Sequence, residues 1–234
     1  MAINGIESLI YGVPDVQEVG RFFDDFGLVR DPEQPSEGLA FTLPEGSHVV
    51  IRHRDDPALV SSQIEGDGVR EVIWGVDGQS ALERLARGLA SDRELTWDSD
   101  GTVHFIADFG VPMGLRVFAK KPVVSAPDPV NAPGLTRRLN HHRKWRRRAY
   151  PKVINHVVFA TPDYEAGYRF MRDRLNFRLS DSQAGYGKYV RADGTTSHHS
   201  ILLLNANAPV PGMTGKLSFH HANFGVEDMA LSSC

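Results

Sequence analysis

The sequence predicts an α+β fold built from tandem modules of one strand, one helix and three further strands (βαβββ), grouped into two domains. Three observations favour this prediction. The 234-residue chain resembles itself at a spacing of 148 to 150 residues. Short apolar runs typical of strands alternate with segments of helical periodicity. A stretch rich in proline and basic residues separates the two similar halves.

The first repeat joins a strand to the helix that follows it. An apolar run ending in Pro-Asp at residues 14–15 recurs at residues 162–163, 148 positions later. Apolar residues then follow at helical spacing, and the aspartates, Asp15 and Asp163, are natural N-caps. We expect the aromatic stripe of the first helix to pack in the core. Its members are Phe22, Phe23 and Phe26.

Two further repeats lie 150 positions apart. Residues 47–51 (SHVVI) resemble residues 197–201 (SHHSI), and residues 71–77 (EVIWGVD) resemble residues 221–227 (HANFGVE). A predicted helix from Gln79 to Ala90 and further strands follow residues 71–77, whereas few residues follow the later copy. The pattern therefore predicts three complete modules and the beginning of a fourth.

These repeats place a domain boundary in the middle of the chain. We predict an N-terminal domain over residues 1–120 and a C-terminal domain over residues 151–234 that is incomplete. A linker over residues 121–150 holds four prolines and a basic run at residues 143–148. Such a run is found in nucleic-acid-binding proteins, but a solvated strap that pairs with acidic surface is the simpler interpretation.

The composition excludes several classes of protein. A net charge of -3 gives no general case for nucleic acid or anionic membranes as partners. The single cysteine, Cys234, allows no intramolecular disulfide, and the N-terminus lacks the features of a signal peptide. No apolar run is long enough to span a bilayer. We therefore expect a cytoplasmic protein without a phosphate-binding loop, nucleophile elbow or zinc finger.

Histidines in two of the strand-like runs are the candidate metal ligands. His156 and His221 each lie inside an apolar run, and imidazoles on neighbouring strands are suited to holding a metal ion. A single histidine in such a run is more often a core residue than a metal ligand. The presence of a second histidine in a similar run is what favours a metal site. His220 competes with His221, and because neighbours in a strand face opposite sides only one is expected to be a ligand. We favour His221.

The repeated modules and these histidines together resemble the vicinal oxygen chelate superfamily, which includes glyoxalases, bleomycin-resistance proteins and extradiol dioxygenases. Four modules with histidines only in the second domain are most similar to the two-domain type I extradiol dioxygenases, which cleave catechols. The most specific stretch runs from Asn155-His156, through residues 188–192 and His198-His199, to His220-His221.

The resemblance implies a role for each of three histidines. His156 and His221 match the two histidine ligands of Fe(II), with Mn(II) as the alternative metal, and His199 matches the acid–base catalyst. The pair His198-His199 is also compatible with an exposed strand end. The family's third ligand is a glutamate on the last strand of the fourth module, for which this sequence offers no counterpart before Cys234. Metal retention and activity are therefore expected to be impaired.

The N-terminal half serves as an internal comparison. Ser8 stands where His156 stands, Glu71 stands where His221 stands, and Phe118 falls near the position of the missing glutamate. This half has no ligand set, and the resemblance implies a structural or substrate-shielding role for it.

The function implied by the resemblance is Fe(II)-dependent ring cleavage of a small catechol-like aromatic with O2. An incomplete sheet with an exposed edge also predicts low stability or self-association, and we expect a homo-oligomer. Two alternatives remain open. One is a metal-free small-molecule binding protein of the bleomycin-resistance type, and the other is a glyoxalase-type isomerase or lyase that uses zinc or nickel.

Overall fold

The computed structural model describes residues 2–123, 131–132, 135–136 and 150–226. Most of the predicted linker, including His141, His142 and the basic run at 143–148, lies outside the described residues, as do residues 227–234. The described residues form two large sheets, one two-stranded sheet and three helices. None of the described helices is both long enough and apolar enough to cross a membrane.

The N-terminal sheet contains eight strands and carries two helices. The first module consists of β1 (Ile3–Val13), α1 (Val16–Phe26), β2 (Val29–Arg30), β3 (Leu39–Thr42) and β4 (His48–His53). The second consists of β5 (Gly68–Val76), α2 (Gln79–Leu89), β6 (Thr96–Trp97), β7 (Val103–Ile106) and β8 (Pro112–Val117). The strand order is β2-β3-β4-β1-β5-β8-β7-β6, so the two modules meet where β1 pairs antiparallel with β5.

The C-terminal sheet repeats the first module and adds one strand. After two short paired strands, β9 (Asn131–Ala132) and β10 (Leu135–Thr136), come β11 (Val153–Thr161), α3 (Tyr164–Leu175), β12 (Arg178–Gln183), β13 (Gly187–Arg191), β14 (Ile201–Asn205) and β15 (Ser218–Gly225). The order is β12-β13-β14-β11-β15. The predicted sequence of three complete βαβββ modules and the first strand of a fourth is therefore present.

Strand pairing gives a more accurate alignment of the repeat than the sequence does. Leu9 lies opposite Val49 in the parallel pair β1–β4, and Val157 lies opposite Ile201 in β11–β14. Ile201 thus corresponds to Val49, 152 positions earlier, rather than to Ile51. Because side chains alternate with a period of two, this shift of two residues leaves the same face of each strand toward the core.

The helices begin at the predicted aspartates. The Asp15 side chain accepts a hydrogen bond from Glu18 N, and Asp163 accepts one from Ala166 N, so each satisfies an amide of the first helical turn. Helix α1 ends at Gly27, whose φ of 98° requires the left-handed conformation that glycine adopts without strain. In the aromatic stripe of α1, Phe23 is buried as expected, but Phe22 is 59% exposed because it lies on the outer side of the helix.

Aromatic side chains join the two sheets into one core. The Trp74 and Phe177 rings meet edge to face at 4.9 Å. On β15, Phe219 packs on Tyr11, and Phe224 contacts the aromatic residues of α1. The core face of β15 is therefore held by the N-terminal module, while its other face carries the candidate histidines.

A buried carboxylate connects the sheets on the polar side of this core. Glu45 is fully buried, and its Oε1 accepts hydrogen bonds from Ile154 N at 2.7 Å and from Ser47 Oγ at 2.9 Å. Its Oε2 lies 2.9 Å from Lys120 Nζ. Since Ile154 is two residues from His156, Glu45 helps to fix the segment of β11 that carries the first histidine.

Candidate metal centre

Two β-bulges shape the strand pair that carries His156 and His221. Between Ile154 and His156 on β11 the register shifts by one residue, which leaves Asn155 unpaired. Val158 pairs with His221 and the next residue, Phe159, pairs with Phe219. His220 on β15 therefore has no partner on β11 and forms the bulge. The N-terminal sheet has shifts at the corresponding places, around Glu7 and Arg70. Bulges redirect side chains locally, and here they lie beside the candidate ligands.

The bulges overturn the expectation that His220 and His221 point to opposite faces. Their rings lie 4.9 Å apart, and the two Nδ1 atoms approach to 2.7 Å. Strict alternation along a strand would separate them, but the extra residue at His220 interrupts it. Of the two, His221 is the one that contacts His156.

The structure brings the three predicted histidines together. His156 Nε2 lies 3.3 Å from His221 Nε2. The His199 ring, in the loop just before β14, lies over the His156 ring with centroids 4.1 Å apart. Three parts of the chain that are far apart in sequence therefore form one imidazole cluster on the C-terminal sheet.

Three further side chains lie beside this cluster: His220, which was the competing ligand candidate, His198 and Tyr189. His198 Nδ1 lies 3.0 Å from His199 Nδ1, His220 contacts His221 as described, and the Tyr189 ring meets the His199 ring edge to face at 5.1 Å. The paired histidines in the sequence were visible, but the contact between neighbours depends on loop and bulge geometry. Tyr189 is brought in by the pairing of β13 with β14.

Burial and mutual repulsion keep these imidazoles neutral at pH 7. Burial, with the nearby His199 and His221, lowers the pKa of His156 to about 4. Burial, with His198 and His221, lowers the pKa of His199 to about 4. Partial burial and His220 lower the pKa of His221. A neutral imidazole has one nitrogen lone pair free to bind a metal ion or accept a proton.

The Nε2 atoms of His156 and His221 are spaced to occupy two coordination positions of one metal ion. Two metal–nitrogen bonds of about 2.1 Å that meet at an angle between ~90° and ~110° separate the nitrogens by roughly 3.0–3.4 Å, and the two Nε2 atoms are 3.3 Å apart. Within residues 2–123 and 150–226, however, no group of three or more His, Cys, Asp or Glu side chains is arranged to hold a metal ion. A third ligand would come from outside the described residues.

The corresponding places in the N-terminal sheet are occupied by contacts between a carboxylate and a histidine. Glu71, at the position of His221, accepts a hydrogen bond from His104 at 2.7 Å. Beside Ser8, at the position of His156, the buried Glu7 carboxylate lies 3.2 Å from His48 Nδ1. Both carboxylates thus contact histidines of their own sheet.

The His104–Glu71 pair gives a pH-dependent prediction. The hydrogen bond to Glu71 raises the pKa of His104 to about 9. A raised folded-state pKa contributes stability that is complete below the unfolded value, near 6.5, and is lost as the pH rises through 9. We expect His104→Gln to destabilise the protein at pH 6, with the difference shrinking between pH 6.5 and 10. Urea unfolding at each pH measures this, and a difference independent of pH would contradict it.

A cleft of about 970 Å³ lies elsewhere, between residues 61–65, 106–110, 161–166 and 215–217. None of the clustered histidines lines it. The cluster lies instead on an open face, where His220 and His221 are exposed to solvent. The cleft and the histidine cluster are therefore separate features of the molecule.

Comparisons with known proteins agree with this fold. Residues 153–231 match the family model "Glyoxalase/Bleomycin resistance protein/Dioxygenase superfamily". Metapyrocatechase 2 of Cupriavidus necator is 27% identical over 240 aligned positions, covering 97% of this chain and 67% of that protein. The clustered histidines His156, His199 and His221 lie within the range that the family model matches.

Solved structures share the fold across most of the chain. A halotolerant catechol dioxygenase superposes with a TM-score of 0.68 at 17% identity, covering 97% of this chain and 72% of the other. The 2,2',3-trihydroxybiphenyl 1,2-dioxygenase of Sphingomonas wittichii gives 0.64 at 17% identity, covering 98% and 75%. A Mn(II)-bound glyoxalase of Novosphingobium aromaticivorans gives 0.62 at 17% identity, covering 88% and 63%.

Proposed function

We propose that this chain is a member of the glyoxalase/bleomycin resistance protein/dioxygenase superfamily and acts as an extradiol-type dioxygenase that cleaves catechol-like aromatics with O2 at an Fe(II) site. The observation that carries this proposal is the 3.3 Å contact between the Nε2 atoms of His156 and His221. The 27% identity with a protein named metapyrocatechase supports the substrate class.

His156 and His221 would hold the metal ion through their Nε2 atoms. When bound, Fe(II) would supply adjacent open positions for a catechol and O2 and would favour deprotonation of the catechol hydroxyls. Both imidazoles are neutral, so a carboxylate from outside the described residues is needed to complete the usual two-histidine, one-carboxylate set. Without it, metal affinity falls because a ligand and a negative charge are missing together.

His199 would act as the acid–base residue. Its pKa of about 4 leaves it unprotonated at pH 7, so it can accept a proton from a hydroxyl of the bound aromatic. The contact between the His199 and His156 rings supports a position for His199 beside the proposed metal ion. Edge-to-face packing on Tyr189 and the contact with His198 restrict the orientation of the ring.

Product analysis tests the proposal. The purified chain is loaded anaerobically with Fe(II), Mn(II) or Zn(II), mixed with a series of catechols and exposed to O2, with and without acetate as an added carboxylate. We expect a ring-opened product with Fe(II) and a higher rate with acetate. A chain that binds catechols equally well without metal and forms no ring-opened product would contradict the proposal and favour a binding protein.

The Mn(II)-bound glyoxalase neighbour favours a second candidate, a metal-dependent isomerase or lyase. Such an enzyme would need no O2. Turnover of a hemithioacetal substrate with Mn(II) under anaerobic conditions would support it, and strict dependence of all activity on O2 would exclude it.

Replacement of His199 separates catalysis from metal binding. We expect His199→Asn to keep iron retention within a few-fold of the parent chain and to lower turnover by about 10² to 10⁴, the usual contribution of a general acid–base residue. Iron analysis and single-turnover kinetics on the same samples measure both effects. Loss of iron together with activity would instead assign His199 to the metal.

A further inference from the structure

His220 is the bulged residue of β15 and lies beside the proposed ligand His221. A neutral imidazole has one N–H donor and one lone-pair acceptor. The 2.7 Å contact between Nδ1 of His220 and Nδ1 of His221 therefore requires one to donate and the other to accept. The same holds for the 3.3 Å contact between Nε2 of His221 and Nε2 of His156. The three rings form one chain of hydrogen bonds whose direction is the same throughout.

Two directions are possible for this chain. In the first, His156 donates from Nε2 to His221, and His221 donates from Nδ1 to His220. In the second, His220 donates from Nδ1 to His221, and His221 donates from Nε2 to His156. The first leaves a lone pair on His156 Nδ1, whereas the second leaves an N–H there.

The surroundings of His156 Nδ1 decide between them. This atom is buried and has no hydrogen-bond partner among the described residues. An unpaired buried N–H is costlier and rarer than an unpaired buried acceptor. The favoured tautomer of His156 therefore carries its hydrogen on Nε2. The exposed His220 ring completes the first arrangement by turning its Nε2–H toward solvent.

We propose that His220 is a positioning residue: its Nδ1 accepts the hydrogen of His221 Nδ1 and thereby fixes His221 in the tautomer whose Nε2 lone pair faces the metal position. The role rests on the proposed function only in naming the metal. It matches a general property of metal sites, in which a ligating histidine donates its second N–H to a fixed acceptor. His156 Nδ1 has no such acceptor among the described residues. Of the two proposed ligands, only His221 is therefore held in the tautomer that binds a metal ion through Nε2.

The tautomers are measured directly in the metal-free chain. At pH 7 we expect long-range ¹H–¹⁵N spectra to show the Nδ1–H tautomer at His221 and the Nε2–H tautomer at His156. His220→Ala removes the acceptor and is expected to shift His221 toward the Nε2–H tautomer. His220→Asn, whose Oδ1 still accepts, is expected to preserve the parent pattern. An Nε2–H tautomer at His221 in the parent chain, or no change in His220→Ala, would overturn the proposal.

Co(II) titration gives a second, independent measurement. We expect His220→Ala to weaken Co(II) binding by about 10- to 100-fold, the usual effect of losing such a partner, and His220→Asn to restore most of it. His53→Ala, which removes an exposed histidine of β4, is the matched control and is expected to leave binding unchanged. Equal Co(II) affinity in all three variants would contradict the role of His220.

The two measurements keep the proposals distinguishable. If the chain forms no ring-opened product but shows the stated tautomers, the proposed dioxygenase activity fails and the role of His220 stands. If the chain is active but metal-free His221 carries its hydrogen on Nε2, the proposed dioxygenase activity stands and the role of His220 fails.

Discussion

Replacement of His156 by alanine is expected to reduce Fe(II) affinity by at least about 100-fold and to abolish ring cleavage. His156 supplies one of the two nitrogens that the described residues offer to the proposed metal ion, and its Nε2 lies 3.3 Å from His221 Nε2. Its loss also removes the ring on which His199 packs. Metal affinity measured anaerobically, together with product formation under O2, reports the effect.

The control for this variant must show that the fold survives. His156 lies on a β11 strand whose other residues form the core, so far-UV and near-UV circular dichroism of His156→Ala should match the parent chain. His221→Ala should reproduce its loss of iron, whereas His53→Ala should not. If His156→Ala retains iron as well as the parent chain does, the cluster is not the metal site.

The largest effect on stability is expected at Glu45. Its buried carboxylate accepts the amide hydrogen of Ile154, contacts the Ser47 hydroxyl and pairs with Lys120. Glu45→Ala leaves a buried amide without its partner and removes the ion pair, which we expect to lower the free energy of unfolding by about 3 kcal/mol. For a chain of this size the melting temperature should fall by roughly 6–12 °C.

A conservative variant divides this effect into two parts. Glu45→Gln keeps an oxygen for Ile154 N and Ser47 Oγ but loses the charge, so we expect a loss of only about 1 kcal/mol, because Lys120 is partly exposed. Glu37→Ala, on the surface, should change little. Urea unfolding of the three variants gives the comparison. Equal losses in the two Glu45 variants would show that the ion pair, rather than the amide hydrogen bond, dominates.

The repeat made much of the fold predictable. Pro-Asp at 14–15 and 162–163 located the helix starts, and apolar spacing located α2 to within one residue of its end at Leu89. The register of the paired strands was harder to predict from the sequence. The sequence alignment matched residues 47–51 (SHVVI) with residues 197–201 (SHHSI) because their residue types are similar. The strand pairing shows that the structurally equivalent residues are shifted by two positions from that alignment. Similar composition along a strand does not determine which residues lie opposite each other.

Local irregularity limited the prediction of the site. His156, His199 and His221 were proposed from residue type and family resemblance, and they lie in one cluster. The alternation rule failed at His220 because the bulge adds one residue to β15, and nothing in the letters FHHANF marks a bulge. Phe22 was misplaced for a simpler reason: the apolar stripe of α1 is wider than the face that the sheet covers.

The proposed metal centre is tested most directly by counting iron. The wild-type chain is equilibrated anaerobically with saturating Fe(II) at pH 7, where the clustered imidazoles are neutral, and free metal is removed by dialysis against a defined Fe(II) concentration. Because the described residues supply only two ligands, we expect the wild type to reach one iron per chain only as Fe(II) approaches saturation, and His156→Ala or His221→Ala to bind none specifically. No bound iron in the wild type, or equal iron in all three, would contradict a metal centre built on His156 and His221.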